Sequence, residues 1–495
     1  MQRIDVIEKT VETAIFQFIF PFSFQEGSEK NIFPFLERKN FKHFQLDDIE
    51  DETVYYGNFR VSHRDLEAFY LPFTTKVLFP ISEQQKGIQR YSKPLNITGN
   101  LITDIVRIPF HVHSIDITLC PYELGFITIR TEVKHLGLSL SQALEFAARF
   151  RVFEPRTERD LHTRIECEGN VFNKIDLFVF EYLFNGLTEF FDKKNSRKSY
   201  FGTFPYFEDE RMYVHALVKL QENETIHAAD VYRSIGLCGL TIGGEPYISA
   251  NNLPYIREYL KLHSYRRWAP NTFFTMEEHC FICLTNEIPN RVPQLVSQLY
   301  GVYYYALLLN LFHKIVLLKI AHAYADLNIE KDTGKMEKLI YSINSFTSNY
   351  FFTELASQSQ GREIFYNLRK IFNIELLYKD AKGALHSLFK YQENANAKKD
   401  SLLLLVLTLY SVIGQMMGMS LVLSDFIGKI KWHHVLSYNP VEYLALFVGA
   451  SGILVSLYLG ISSFYQWFVE RKNREKWVEH TVLSSTKEDN ISNKN

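Results

Sequence analysis

Two long runs without a charged residue constrain the fold of this chain more than any other feature. They cover 401–424, which is 24 residues, and 443–469, which is 27 residues. A helix that crosses a bilayer needs about 20 mainly apolar residues. Both runs therefore predict membrane-spanning helices, and the alternative for each is a helix buried in a protein core.

A third uncharged run, 292–312, is less suited to a membrane. It contains Gln294, Gln298 and Asn310, and it is followed by His313 and Lys314. Polar side chains are costly in hydrocarbon unless they have partners. We expect this run to form a buried helix, with a third span as the alternative.

Basic residues near the two runs predict how they are oriented. Cytoplasmic flanks carry an excess of Lys and Arg, and here more of them lie outside the pair of runs than in the connector 425–442. They are Lys398, Lys399, Arg471, Lys472, Arg474 and Lys476 outside, against Lys429 and Lys431 in the connector. We expect both termini to be cytoplasmic, the connector to be an extracytoplasmic loop, and 470–495 to be a basic cytosolic tail. The host membrane is expected to be a bacterial inner membrane.

Proline marks the boundary within the remaining chain. Fourteen of the fifteen prolines lie at or before Pro293, and 294–439 contains none, although proline is the residue that most disrupts helix interiors. Upstream, β-branched and alternating runs that are typical of strands mix with helical patterns. These runs cover 14–24, 115–120, 126–134, 212–220 and 272–284. The predicted fold is therefore an α+β cytosolic domain over 1–290, a helical region and stalk over 291–400, and then two transmembrane helices.

Polar residues in the first run recur on one helical face. Thr408, Ser411 and Gln415 follow spacings of three and four, and the same stripe extends back to Leu404 and Asp400. Further forward it reaches Met419 and Ser420. Such a stripe needs a water-filled lumen or another polar helix. Two spans cannot enclose a pore alone, so conduction would require several copies around an axis.

This order of parts resembles the CorA family of two-span divalent-cation channels. Gly418-Met419-Ser420 stands where that family has Gly-Met-Asn at the end of its first span. The resemblance implies a homopentamer whose first helices line the pore, with Ser420 in the asparagine position and Asp400 near the inner mouth. Serine in place of asparagine leaves the ion open between Mg²⁺ and another cation.

The large N-terminal domain resembles the CRISPR-associated branch of that family. The resemblance implies an antiviral membrane effector of a type III system, opened when a nucleotide messenger, SAM-AMP, binds the cytosolic domain. A constitutive divalent-cation transporter is the alternative within the class. A membrane-anchored sensor or scaffold without conduction is the alternative from another class.

An anionic nucleotide needs cationic donors, preferably arginine forks. The densest candidate set follows the hairpin at 121–126. It consists of Arg130, Lys134, Arg149, Arg151 and Arg156. Ordinary surface ion pairing is the alternative, because several glutamates lie close by in the sequence.

Other chemistry is weakly signalled. A net charge of −2 argues against nucleic-acid binding, and no nucleophile elbow, HExxH or kinase motif points to an enzyme. Cys280 and Cys283 form a CxxC without a second ligand pair, which favours a buried structural role over a metal site. His111 and His113 could share one face of a strand, which alone is a weak signal.

Overall fold

The computed structural model describes most of the chain through Gly418. The described stretches are 6–25, 27–82, 85–155, 157–192, 211–329, 332–352, 354–356, 358–418 and 437–444, with Ile4 and isolated positions from 446 to 465. The chain divides into two compact units. Of the described residues, the first unit comprises those up to 326 and 344–381, and the second comprises 327–343 and those from 382 onward.

A mixed sheet of eleven strands forms the centre of the first unit over the described residues. The strand order is β7-β6-β3-β4-β5-β1-β8-β11-β10-β9, with β2 paired to β3. All the pairings are antiparallel except that of β11 with β8. The strands are β1 Val11–Ser23, β2 Lys42–His43, β3 Gln89–Ile102, β4 Arg107–Cys120, β5 Leu124–Val133, β6 Arg164–Cys167, β7 Asn170–Phe172, β8 Tyr213–Leu220, β9 Ser264–Tyr265, β10 Thr272–Met276 and β11 Cys280–Thr285.

Helices alternate with the strands along the described chain and follow the last of them. They are α1 Glu29–Arg38, α2 Asp51–Val54, α3 His63–Phe69, α4 Pro72–Leu78, α5 Leu140–Phe150, α6 Glu158–Leu161, α7 Ile175–Leu177, α8 Ala228–Ile235, α9 Leu253–His263, α10 Val292–Gln298, α11 Tyr304–Ala325, α12 Thr333–Asn349, α13 Ser359–Ile371 and α14 Ile374–Gly418. The prediction of a mixed domain followed by long helices is confirmed.

One face of the sheet, the apolar face, packs against α5. Phe16 and Phe18 of β1 contact Phe146 and Phe150 of α5, with ring centroids 4.5–5.9 Å apart. Helix α5 begins with a capping box, in which Ser139 accepts a hydrogen bond from the backbone of the third helical residue. Aromatic burial on this face supplies a large hydrophobic core for the unit.

The opposite face, the polar face, buries hydrophilic side chains beneath the π-helical segment 299–303 and α11. Gln17, Asp116, Arg130 and His215, each from a different strand, are all fully buried there. Tyr304 of α11 reaches down to this face, its hydroxyl 2.9 Å from that of a threonine on β5. One face of the sheet is therefore apolar, and the other carries buried polar and charged side chains.

The helical stretch Val292–Ala325 comprises α10, a π-helical segment and α11. Among the described residues it is the one stretch long and apolar enough to cross a membrane, and 67% of its most apolar window is buried inside the protein. Asn310, which argued against a span, donates its side-chain amide to the carbonyl of Ala306 at 2.9 Å. The expected buried helix is what this stretch forms.

Helix α14 contains 45 residues, which corresponds to about 68 Å at 1.5 Å per residue. It does not join α13 directly, because Asn373 between them has a φ of +53°. Left-handed backbone cannot continue a right-handed helix. Within the helical region expected over 291–400, α13 and α14 are therefore separate helices.

Candidate functional site

A cleft of about 610 Å³ opens on the first unit over β3, β4 and β5. That volume is within the range of small-molecule sites. The side chains that give it chemical character are Asn96, His111, His113, Glu132 and Lys134. Lys134 is one of the ligand-binding residues expected from the sequence.

A chain of hydrogen bonds runs through the wall of this cleft. Thr13 donates to Glu132 Oε1 at 2.9 Å, and His113 Nε2 lies 3.1 Å from Glu132 Oε2. The two histidines, hereafter the histidine pair, face each other with 2.9 Å between their Nδ1 atoms. His111 Nε2 lies 2.6 Å from Asn96 Oδ1. Both Nε2 atoms of the histidine pair therefore have oxygen partners, and the two Nδ1 atoms face each other.

These contacts shift the titration of the site. The hydrogen bond from His113 is the largest influence on the pKa of Glu132 and, with that from Thr13, lowers it against the opposing effect of burial. Burial, reinforced by the neighbouring His113, lowers the pKa of His111. The cleft is thus arranged around the ionised carboxylate of Glu132 and the imidazole of His111, which resists protonation.

A β-bulge at His113 creates the histidine pair. His111 pairs with Glu132 and Val112 with Thr131, but Ser114 pairs with Arg130, so His113 is the extra residue. A bulge lets two residues on one strand oppose one on its partner. Before the bulge, the even-numbered residues of β4 lie on the apolar face of the sheet, and after it the odd-numbered residues do. The bulge keeps both imidazoles on the polar face.

Gly57, in the loop after α2, covers the ring of His113. Its φ is +65°, and a Cβ at this position would lie 2.6 Å from the ring Cε1 of His113. Only glycine combines this backbone conformation with so close an approach. The loop therefore restricts the orientation of the imidazole.

Deeper on the polar face lies an interior cluster of three fully buried charges. Asp116 Oδ2 is 2.9 Å from Arg90 Nε and 2.6 Å from Arg130 Nη2. Tyrosines surround the two guanidinium groups, and Arg90 donates to the hydroxyl of Tyr305 at 2.8 Å. The guanidinium of Arg130 lies 5.3 Å from the ring centre of Tyr56, within cation–π range.

The interior cluster carries two positive charges and one negative charge. Burial alone raises the pKa of Asp116, but the attraction of Arg130 and Arg90 outweighs burial and lowers it overall. The cluster links to the cleft through the strands, because Arg130 and Glu132 are alternate residues of β5 and share the polar face. The hydroxyl of Ser114 accepts from Arg130 Nη1 at 3.2 Å and donates to the carbonyl of Tyr55 at 2.8 Å.

The five residues expected to bind an anionic ligand do not form one site in the described structure. Arg130 is in the interior cluster and Lys134 lines the cleft. Arg149, at the end of α5 on the apolar face, pairs with Glu145 at 2.7 Å. Arg151 is buried beyond the end of the same helix, and Arg156 lies outside the described residues. The sheet thus separates Lys134 and Arg130 from Arg149.

The residues expected to line a pore lie on α14 where they are described. Asp400, Leu404, Thr408 and Ser411 are exposed, and the Thr408 hydroxyl donates to the carbonyl of Leu404 at 2.7 Å. Two further positions, Gln415 and Gly418, belong to the last turns of the same helix. Met419 and Ser420 lie outside the described residues. The rest of the first run, most of the connector and the C-terminal tail also lie outside them.

Cys280 and Cys283 are buried in β11. Within the described part of the chain, no group of three or more His, Cys, Asp or Glu side chains is arranged to hold a metal ion. Comparison with protein families, with curated proteins and with solved structures finds no match to this chain.

Proposed function

We propose that this protein is a membrane-anchored, homo-oligomeric cation channel of the CorA kind, controlled by a small ligand that binds its cytosolic unit. The observation that carries the proposal is the apolar surface near the end of α14. Leu402, Leu404, Leu405 and Leu407 are each between 63% and 66% exposed. Consecutive residues point in different directions around a helix, so this surface surrounds α14 on several sides.

Such a surface is unfavourable in water. Burying apolar area contributes about 25 cal/mol per Å², and a helix apolar all round is typical of a membrane span or a buried core. A lipid bilayer, together with helices from other copies, would cover this surface. The second run adds to the argument, because Phe447, Leu454, Tyr458 and Ile461 are also exposed at helical spacing.

Within the polar stripe, the argument for a pore depends on Gln415. The hydroxyl of Thr408 is satisfied within its own helix, so it would tolerate lipid. Gln415 has an amide with two donors and an oxygen acceptor, which a single helix cannot satisfy completely. Gln415 therefore needs water or polar neighbours more than Thr408 does, and a pore formed by several copies would supply them.

The cleft is our candidate for the ligand site of the cytosolic unit. Its volume suits a small molecule, and Lys134 provides a cation for an anionic group. The family resemblance suggests a nucleotide messenger such as SAM-AMP and a role in type III CRISPR defence, in a bacterial inner membrane with both termini cytoplasmic. A pentamer and passage of Mg²⁺ or another cation belong to the same proposal.

Flux through liposomes tests the proposal. The purified chain would be reconstituted under a cation gradient, with and without SAM-AMP, alongside Gln415→Leu and the matched control Val412→Leu from the same helix. We expect ligand-dependent flux that Gln415→Leu abolishes and Val412→Leu preserves. Flux that ignores the ligand would indicate a constitutive transporter.

Absence of flux with intact membrane insertion would indicate an anchored sensor or scaffold and would overturn the channel proposal. A Lys134→Ala variant separates ligand binding from conduction. We expect it to need more ligand for half-maximal flux, while its maximal flux stays unchanged.

A further inference from the structure

The protonation of the histidine pair leaves an unbalanced contact at its centre. The carboxylate of Glu132 is ionised at neutral pH and can only accept, so the Nε2 of His113 carries a hydrogen. The amide oxygen of Asn96 also only accepts, so the Nε2 of His111 carries a hydrogen as well. In neutral imidazoles both Nδ1 atoms then present lone pairs to each other across 2.9 Å. A cation between them would remove this repulsion.

We propose that the histidine pair is a bidentate site for a divalent transition-metal cation, bound by the Nδ1 atoms of His111 and His113. Imidazole nitrogen is a preferred ligand of nickel, copper and zinc, whereas magnesium prefers oxygen. This site belongs to the cleft, and it does not depend on whether the protein conducts ions.

The separation of the two nitrogens fits a metal geometry. With metal–nitrogen bonds of about 2.05 Å, a right angle at the metal separates two ligand nitrogens by about 2.9 Å, whereas a tetrahedral angle separates them by about 3.3 Å. The observed distance is 2.9 Å. It matches the right angles of tetragonal or octahedral sites, which Ni²⁺ and Cu²⁺ favour, and zinc would require the rings to move apart by about 0.4 Å.

The surroundings of both rings are those of metal ligands. A metal-bound histidine almost always donates its other ring N–H to a carboxylate, carbonyl or water, and here Glu132 and Asn96 take that role. Thr13 holds Glu132, and Gly57 closes over His113. These contacts fix the ring orientations before any metal arrives.

Other coordination positions remain for small ligands. Because the described residues contain no cluster of three or more metal-ligating side chains, water or a group of a cleft ligand would complete the coordination. Lys134 lines the same cleft, so an anionic group is the ligand class we expect beside the metal.

Isothermal titration calorimetry on the full chain in detergent, after removal of metals with a chelator, tests the site with Ni²⁺, Zn²⁺ and Mg²⁺. We expect one Ni²⁺ per chain, weaker Zn²⁺ binding, and no Mg²⁺ binding at this site. His111→Gln and His113→Gln should each abolish the Ni²⁺ site. The matched control is His162→Gln, whose side chain is 59% exposed elsewhere on the unit, and it should bind as the parent does.

Glu132→Ala should weaken Ni²⁺ binding by about 10- to 100-fold, as expected for the loss of an outer partner. Thermal unfolding of each variant without metal establishes that it is folded, and Glu132→Gln provides a milder change at the same position. The proposal is overturned if the parent binds no stoichiometric Ni²⁺, or if both histidine variants bind it unchanged. Either result would instead favour a neutral pair in which the amide of Asn96 is turned and His111 donates its Nδ1 hydrogen to His113.

Discussion

Removing Asp116 should destabilise the first unit more than removing either arginine of the interior cluster. In the parent, one carboxylate lies between two fully buried guanidinium groups. Asp116→Asn keeps the shape of the side chain but leaves two buried positive charges without a counter-ion. Breaking a buried ion pair by removing one partner costs about 3–5 kcal/mol, and we expect a loss at the upper end of that range.

Arg130→Met gives the contrasting case. It leaves Arg90 and Asp116 as a neutral pair, so its cost should be clearly smaller than that of Asp116→Asn. The control is Glu166→Gln, which removes a partly exposed ion pair with Arg107 and should cost about 0–1 kcal/mol.

Thermal unfolding of the full chain in detergent, followed by intrinsic fluorescence, provides the assay. For domains of 150–250 residues each kcal/mol corresponds to about 2–4 °C, so a loss of 3–5 kcal/mol predicts a decrease in Tm of about 6–20 °C. Because the first unit is larger than 250 residues, we expect its decrease in Tm to lie toward the lower end of this range. If Arg130→Met lowers Tm as much as Asp116→Asn, packing rather than charge balance governs the cluster and the reasoning is refuted.

Three other perturbations have defined outcomes. Burial lowers the pKa of His215 and of His313 to about 3 in the folded protein. Because the ordinary value is near 6.5, the contribution of each histidine to the free energy of unfolding is complete above pH 6.5 and decreases by about 1.4 kcal/mol per pH unit below it. Urea unfolding at pH 7 and at pH 5.5 would measure this decrease. Gly57→Ala should cost at least about 1–2 kcal/mol from the left-handed backbone alone, with further loss from the contact with His113, measured by urea unfolding. Leu405→Asp combined with Leu409→Asp should raise the free energy of membrane insertion by about 6–8 kcal/mol if these residues lie near the centre of a span. The double variant should therefore leave the membrane fraction on carbonate extraction.

Each of these has a matched comparison. His215→Leu should reduce the loss of unfolding free energy between pH 7 and pH 5.5 by the contribution of one histidine. An unchanged loss would show that the burial of His215 does not cause the acid sensitivity. Gly137→Ala shares a positive φ but has open space around it, so equal costs at Gly57 and Gly137 would show that the contact with His113 is unimportant. Glu393→Asp, in the charged part of α14, should leave membrane association intact; if the paired leucine variant also stays membrane-bound, the lipid-facing interpretation is wrong.

Much of the sheet is predictable from local pattern. The β-branched runs around 115–120, 126–134 and 212–220 lie within or close to β4, β5 and β8, because apolar alternation matches the two-residue repeat of a strand. The run 272–284 forms two strands, β10 and β11, instead of one. Residues 277–279 form the connection between them, and no glycine or proline marks that turn in the sequence.

The site was harder to predict because it depends on long-range pairing. The interior cluster joins Arg90 on β3 to Asp116 and Arg130, and nothing local in the sequence connects them. One signal for the bulge was present, however. Apolar residues fall on even positions through Val112 and on odd positions from Ile115 onward, and such a change of phase indicates an inserted residue. The membrane segments and the pore stripe remain predictions.

The position of β1 in the sheet has a consequence for biosynthesis. This aromatic-rich strand lies between β5 and β8, and the second of these neighbours begins near residue 213. At about 5–20 residues per second, translation needs roughly 10–40 s more before both flanking strands exist. During that interval at least the β8 edge of this aromatic strand has no partner, so we expect the yield in a host cell to depend on chaperones and on slow, cool expression.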